Sequence, residues 1–77
     1  MEKKREDIEC QQNFGEFIRE ARKRRGLRQE DVAAKLKITK SYYGHIERGE
    51  RNVDFILAIR ICKILGLNLN EFLEDYM

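Results

Sequence analysis

The sequence predicts an all-α fold, a compact bundle of five helices. The chain has 77 residues, enough for one small domain with a single core. It contains no proline, and apolar residues recur at helical spacing along most of its length. Five glycines and several polar capping residues divide these stretches into short segments. No stretch shows the alternating pattern of a strand, and every predicted connection is short.

The first helix is predicted over residues 13–25. Asn13 and Glu16 have the spacing of a capping box, and Gly26 supplies the C-terminal stop. The apolar face repeats at i, i+3, i+4 and i+7 and consists of Phe14, Phe17, Ile18 and Ala21.

Residues 1–12 form a charged leader before this helix. Only Ile8 and Cys10 interrupt the polar run. The leader is either disordered or a helical extension, and its polarity favours disorder. The folded domain is therefore expected to span residues 13–77.

Two short helices follow. The second, over 29–36, has Glu30 and Asp31 in its first turn, where the helix dipole favours acids. The third begins after Thr39, a good N-cap, and stops at Gly49. A turn of three or four residues separates them, which is the spacing of a helix-turn-helix whose second helix can enter a major groove.

The last two helices are predicted from a second pair of signals. The fourth occupies about 54–65 and ends at Gly66, while Asn68 and Glu71 mark the start of the fifth. The expected core face of the fourth helix consists of Phe55, Ala58, Ile59, Cys62 and Leu65.

Composition excludes several function classes. No apolar run approaches the roughly 18–20 residues that cross a bilayer, and no signal region follows the charged start, so we expect a cytoplasmic protein without membrane contact. Two distant cysteines and the single histidine, His45, do not make a zinc cluster. No nucleophile elbow, P-loop or paired-histidine motif is present, so we expect no enzyme activity, no metal and no cofactor.

Several motifs resemble those of the phage repressor/Cro-like helix-turn-helix regulators, also called the xenobiotic response element family. The similarity covers about 14–73, and its most specific parts are Arg22, 26–33, 46–52 and 65–67. The stretch 41–52 is also similar to the controller regulators of restriction–modification systems. The resemblance implies a lambda repressor-like DNA-binding domain. It also implies a partly buried ion pair between Arg22 and Glu47, although Arg22 could instead bind a phosphate.

Charge is unevenly distributed, although the net charge is only +2. Between Arg19 and Arg51, eleven basic residues outweigh five acids, a net charge of +6. From Val53 onward, two basic residues meet four acids, a net charge of −2. The basic half contains the helix-turn-helix, so double-stranded DNA is the expected partner.

Phosphate contacts are expected at both ends of the helix-turn-helix. The family pattern implies that Gln29 binds a phosphate at the start of the second helix. Arg28 replaces the usual capping residue, so we expect Asp31 to cap and Arg28 to offer its charge to DNA. Arg48 and Arg51 follow the third helix and are further candidates.

Base contacts are expected from the exposed side of the third helix, with Tyr43 and Ile46 facing the core. Gly44 allows a close approach either to DNA or to a neighbouring helix. The predicted base-contacting residues are Thr39, Lys40, Ser41, Tyr42 and His45.

A homodimer is expected, because a second apolar stripe runs along the fourth helix. The alternative is that the fifth helix covers this stripe. The predicted interface draws on Leu57, Ile61, Ile64, Leu67, Leu69, Phe72 and Tyr76. The function predicted is a dimeric repressor that binds a palindromic operator. An antitoxin or other protein-interaction module, with a toxin or another protein as partner, is the alternative.

Overall fold

Five helices make up the domain in the computed structural model, which describes residues 4–76, with the side chain of Tyr76 left out. No strand occurs within these residues, so the predicted all-α fold is confirmed. None of the described helices is both long and apolar enough to cross a membrane. The helices are α1 (Arg5–Arg24), α2 (Gln29–Leu36), α3 (Lys40–Glu47), α4 (Phe55–Leu65) and α5 (Leu69–Tyr76).

Local capping interactions set the ends of the middle helices. The Thr39 hydroxyl accepts a hydrogen bond from the backbone N–H of Tyr42 at 3.0 Å, and the Asp54 carboxylate accepts one from Leu57 N–H at 2.8 Å. Gly66 ends α4 in the left-handed region, with φ of 68°. These contacts involve residues close in sequence, so the sequence locates the ends of α2, α3 and α4 to within a residue.

The start of α1 differs from the prediction. α1 begins at Arg5, so the boundary at residue 13 is wrong, and residues 5–12 form the helical extension that the sequence left open rather than the disordered leader that their polarity favoured. Residues 1–3 lie outside the described part. The extension is held by tertiary contacts. Gln11 Nε2 donates to the carbonyl of Gly49 at 3.2 Å, and Cys10 packs against the core. These partners lie far along the chain, so composition alone did not reveal them.

The core lies between α1 and the four other helices. At its α5 end, the Phe14 ring meets the Phe72 ring edge-on, with centroids 5.4 Å apart, and Phe17 packs beside both. The buried apolar side chains are Phe14, Phe17, Ile18, Ala21, Val32, Ala33, Leu36, Tyr43, Ile46, Leu57, Ile61, Cys62, Leu65 and Phe72.

α4 exchanges some of its predicted core and interface residues, although Cys62 and Leu65 are buried in the core as predicted. Leu57 and Ile61, expected in the dimer interface, are buried in the core, whereas Phe55 and Ile59, expected in the core, are exposed. Leu57 and Ile61 lie four positions apart on one face of α4. Beside this face, Arg60 Nη2 donates to the last carbonyl of α2, that of Leu36, at 3.1 Å, so the buried face is the one next to α2.

The α5 part of the predicted interface is also largely used within the protomer. Phe72 is buried, and Ile64, Leu67 and Leu69 are half-buried against the core. Tyr76 falls where no side chain is described. Among the residues that the structure describes, no apolar side chain predicted for the interface is both large and exposed.

Candidate nucleic-acid interface

α2 and α3 pack against each other through their apolar sides and leave the start of α3 on the surface. The inward-facing Tyr43 and Ile46 are fully buried, as expected for the core side of α3. Lys40 and Ser41, at the start of the same helix, are exposed. A side chain on that exposed face is available to the bases of a major groove.

A buried ion pair ties α1 to the end of α3. Arg22 Nε donates to Glu47 Oε2 at 2.6 Å, and Arg22 Nη2 donates to Glu47 Oε1 at 3.0 Å. Arg22 Nη1 also donates to the carbonyl of Leu27, before α2, at 2.9 Å. The Glu47 side chain is 1% exposed. This pair joins three segments and leaves Arg22 no role at the surface.

The second partner of Glu47 is Gln29, the residue expected to bind a phosphate. Gln29 Nε2 donates to Glu47 Oε1 at 3.0 Å. Burial opposes the negative charge of Glu47, but the hydrogen bonds from Arg22 and Gln29 outweigh burial and hold the pKa of Glu47 below its usual value. Glu47 therefore stays ionised and fixes the first residue of α2 against α3.

Tyr43 lies next to this pair. Its ring is fully buried, and its hydroxyl has no hydrogen-bond partner among the described residues. Burial raises the pKa of Tyr43, and the Glu47 carboxylate raises it further. The hydroxyl therefore stays protonated and adds no charge to the core.

The arginines predicted to bind phosphates all lie on the surface. Arg28 precedes α2, and its backbone N–H donates to Asp31 Oδ2 at 2.8 Å, so Asp31 does cap the helix. The guanidinium of Arg28 also lies 3.3 Å from Asp31 and 3.9 Å from Glu30, which offsets part of its charge. Arg48 and Arg51 are exposed beyond α3.

Gly44 brings two of the predicted phosphate-binding side chains together. A Cβ at this position would lie 3.3 Å from Arg48 Nη1 and 3.4 Å from Gln29 Oε1. The absent side chain therefore leaves room for the ends of Gln29 and Arg48 over the same turn of α3. Neither of the two expected uses of Gly44, a close approach to DNA or to a neighbouring helix, is shown by these side-chain contacts.

The residues predicted to contact bases have different surroundings. Thr39 is exposed, but its hydroxyl caps α3. Lys40 Nζ lies 3.9 Å from Glu30, and Ser41 is exposed beside it. Tyr42 is half-buried and packs against the core. His45 Nδ1 lies 2.6 Å from Glu50 Oε1.

Glu50 was missed by the sequence prediction, although it contacts two predicted residues. One of its oxygens meets His45 and also accepts from Arg48 Nε at 3.1 Å. Glu50 is in the loop after α3, five positions beyond His45, so no helical spacing indicates the contact. One indication was present in the sequence, which is that Glu50 is an acidic residue between Arg48 and Arg51, both predicted to contact DNA.

Comparison with known proteins decides the family. A protein-family sequence model described as helix-turn-helix matches residues 18–72, which is more than half of the chain. The chain belongs to this helix-turn-helix family. Its members are DNA-binding regulators, so the predicted family, fold and general function are confirmed.

Relatives of this helix-turn-helix regulator include control proteins. It is similar to the control protein C.MunI of a Mycoplasma species, at 36% identity over 63 residues, or 80% of this chain and 85% of that protein. An uncharacterised helix-turn-helix transcriptional regulator of Methanothermobacter thermautotrophicus is 40% identical over 59 residues, covering 77% and 81%. The crystal structure of the restriction-modification controller protein C.AhdI of Aeromonas hydrophila matches with a TM-score of 0.73 and 34% identity, covering 79% and 92%.

One apolar surface of the regulator remains outside the helix-turn-helix. Phe55 is 68% exposed, Ile56 65% and Ile59 41%, and we call these three residues the α4 patch. Leu73 of α5, 49% exposed, lies across a groove of about 510 Å³ that Phe55 also lines. Large apolar side chains exposed together are typical of a surface that another protein covers.

Proposed function

We propose that this regulator binds a palindromic DNA operator as a homodimer, contacts bases through α3 and represses by occluding its own promoter. The observation that carries the proposal is the exposed start of α3 within the basic half of the molecule. We also propose that it acts in the cytoplasm and has no enzymatic activity. Similarity to C.AhdI supports control of restriction–modification genes as the process that it regulates.

Base recognition is assigned chiefly to Lys40 and Ser41. Both are exposed at the first turn of α3, the part of such a helix that meets base edges. An ammonium group can donate to guanine O6 and N7, and a hydroxyl can donate or accept. Thr39, Tyr42 and His45 border these two residues and complete the proposed surface.

Phosphate binding is assigned to the two ends of the helix-turn-helix. Arg28 and Gln29 lie at the N-terminus of α2, where the helix dipole favours an anion. Arg48 and Arg51 supply positive charge after α3. Such contacts set position and affinity but do not distinguish sequences.

Dimerisation is assigned to the α4 patch together with Leu73. These side chains replace the buried Leu57 and Ile61 in the interface first predicted. To bind a palindrome, an isologous pairing through this face must place two copies of α3 on one side of the dimer, about 34 Å apart, which matches one turn of DNA.

Selection of bound sites from random DNA tests the proposal. The wild-type protein should select a palindrome, and the variant Lys40→Ala with Ser41→Ala should lose the preference while keeping non-specific binding. Lys63→Ala, which removes a charge from α4, is the control and should select the wild-type site. Unchanged selection by the double variant would show that α3 does not contact the bases as assigned.

Salt dependence gives a second readout. A dimer that makes six to ten phosphate contacts should lose about 10³–10⁵ in affinity between 50 and 200 mM salt. Affinity that does not change with salt would contradict the assigned phosphate contacts. Copurification of a stoichiometric protein partner, with no selected DNA site, would favour the antitoxin or adaptor alternative.

A further inference from the structure

Three polar side chains meet at the end of α3. His45 Nδ1 lies 2.6 Å from Glu50 Oε1, and Arg48 Nε donates to the same oxygen at 3.1 Å. Arg48 Nη2 lies 3.1 Å from His45 Nδ1. One carboxylate oxygen therefore faces both residues predicted to contact DNA at this end of the helix.

The charge of Glu50 settles which partner donates. Glu50 is exposed and accepts a hydrogen bond from Arg48, so its carboxylate is ionised at neutral pH, which lies well above the usual pKa of a glutamate. An ionised carboxylate only accepts hydrogen bonds. At 2.6 Å, His45 Nδ1 must therefore carry the hydrogen.

The contact with Arg48 does not change this assignment. A guanidinium has donors only, so Arg48 Nη2 cannot bond to a ring nitrogen that carries a hydrogen. Arg48 has its own bond to Glu50 through Nε. The shorter contact, between His45 and Glu50, therefore determines the tautomer.

We propose that Glu50 is a specificity-determining residue that holds His45 in the Nδ1–H tautomer. In a neutral imidazole the other nitrogen then has a lone pair, because the hydrogen bond at one nitrogen sets the state of the other. In this neutral form, His45 Nε2 is an acceptor. It fits the exocyclic amino group of adenine or cytosine in the major groove, and it does not fit guanine N7 or O6.

The stability of the fold does not explain why residue 50 is a glutamate. Exposed ion pairs add little to folding, and Glu50 and His45 are both partly or fully on the surface. A negative charge beside Arg48 and Arg51 also repels DNA phosphates. Glu50 therefore lowers non-specific affinity while it orients His45, and both effects favour discrimination between sequences.

The tautomer can be tested without DNA. The chain has one histidine, so long-range ¹H–¹⁵N spectra of the imidazole report on His45 alone. The neutral ring of the wild-type protein should show a protonated Nδ1 and an unprotonated Nε2. Glu50→Gln should populate the Nε2–H form, because an amide can also donate to Nδ1. Glu74→Gln, the same charge change on α5, should match the wild type.

Either of two spectra would overturn the tautomer assignment. The first is a dominant Nε2–H form in the wild-type protein. The second is an Nδ1–H form that persists unchanged in Glu50→Gln. Thermal unfolding of each variant confirms that the spectra come from folded protein.

Site selection tests the consequence for specificity, which rests on the proposed function. Glu50→Gln should reduce the preference at one base pair in each half-site from about tenfold to less than about threefold. Preferences at the base pairs assigned to Lys40 and Ser41 should remain, and total affinity should not fall. His45→Ala should change the same base pair, and Glu74→Gln should change none.

The outcomes separate this inference from the proposed function. Identical sites for Glu50→Gln and Glu74→Gln would overturn the specificity role, although the wild-type protein binds an operator. Failure of the wild-type protein to select any site would overturn the proposed function, and the specificity role with it. The spectra would then still decide whether Glu50 fixes the His45 tautomer.

Discussion

The helix-turn-helix and the α4–α5 half of the molecule are specified by different kinds of interaction. In the helix-turn-helix, the Thr39 cap fixes where α3 begins, and the buried pair of Arg22 and Glu47 fixes how α3 packs against α1. In the α4–α5 half, nine of the eleven residues of α4 are apolar, so several faces could enter the core. A directional polar contact fixes the position of the elements that it joins. Which apolar face of α4 is buried is decided only when the neighbouring helices pack against it.

The largest expected effect comes from the buried charge of the helix-turn-helix half. Glu47→Ala should reduce the free energy of unfolding by about 3–5 kcal/mol, because Arg22 would be left buried without its partner. Glu50→Gln, an exposed acid three positions later, should leave the unfolding midpoint nearly unchanged. Urea unfolding of both variants provides the measurement. Equal effects would contradict the structural role given to the buried pair.

The second prediction concerns the two stripes of α4. Ile61→Ala should cost about 2–5 kcal/mol, because Ile61 is fully buried. Ile59→Ala removes the same atoms from a side chain that is 41% exposed and should cost clearly less. Denaturant unfolding at low protein concentration separates these effects from dimer formation. The reverse order would restore the interface first predicted from the sequence.

A third pair of variants compares two glycines. A Cβ at Gly15 would overlap the backbone carbonyl of Glu47, so Gly15→Ala should destabilise the domain by about 1–3 kcal/mol. At Gly44 the nearest atoms are the movable ends of Arg48 and Gln29, and alanine favours a helix, so the net change should stay within about 1 kcal/mol. Thermal unfolding measures both. A larger loss for Gly44→Ala would show that the packing over α3 is rigid.

Acid should weaken the domain through Glu47. Its pKa is lower in the folded state than in the unfolded state, where it is about 4.3. Its contribution to stability is therefore complete above that pH and is lost as the pH falls through the folded value. Unfolding measured from pH 6 to 3 should show a flatter profile for Glu47→Gln than for the wild type. Parallel profiles would assign the acid sensitivity to other carboxylates.

Interactions between near neighbours in sequence could be predicted, and those between distant residues could not. The cap at Thr39 spans three residues and was predicted from the sequence. The first turns of α1 are contacted through Gln11 and Gly49, and α4 contacts α2 through Arg60 and Leu36, pairs that lie far apart in sequence. Both need the assembled fold.

The candidate DNA-binding site shows the same division. Lys40 and Ser41 could be placed on the exposed side of α3 from helical periodicity alone. The link from Glu50 to His45 depends on how the chain turns after Gly49, which has φ of 74°. Gln29 was expected to face a phosphate, but its amide is held by Glu47 because α2 and α3 pack closely.

The central claim is that DNA recognition and dimerisation belong to separate halves of this regulator. Affinity for the selected palindrome and for a single half-site, measured for the wild type and for Phe55→Ser with Ile56→Ser, tests it most directly. The variant should be monomeric and bind the half-site within about threefold of the wild type, but lose most of the roughly 10²–10⁴-fold advantage of the palindrome. Loss of half-site binding in a folded variant, or a retained preference for the palindrome, would contradict the claim.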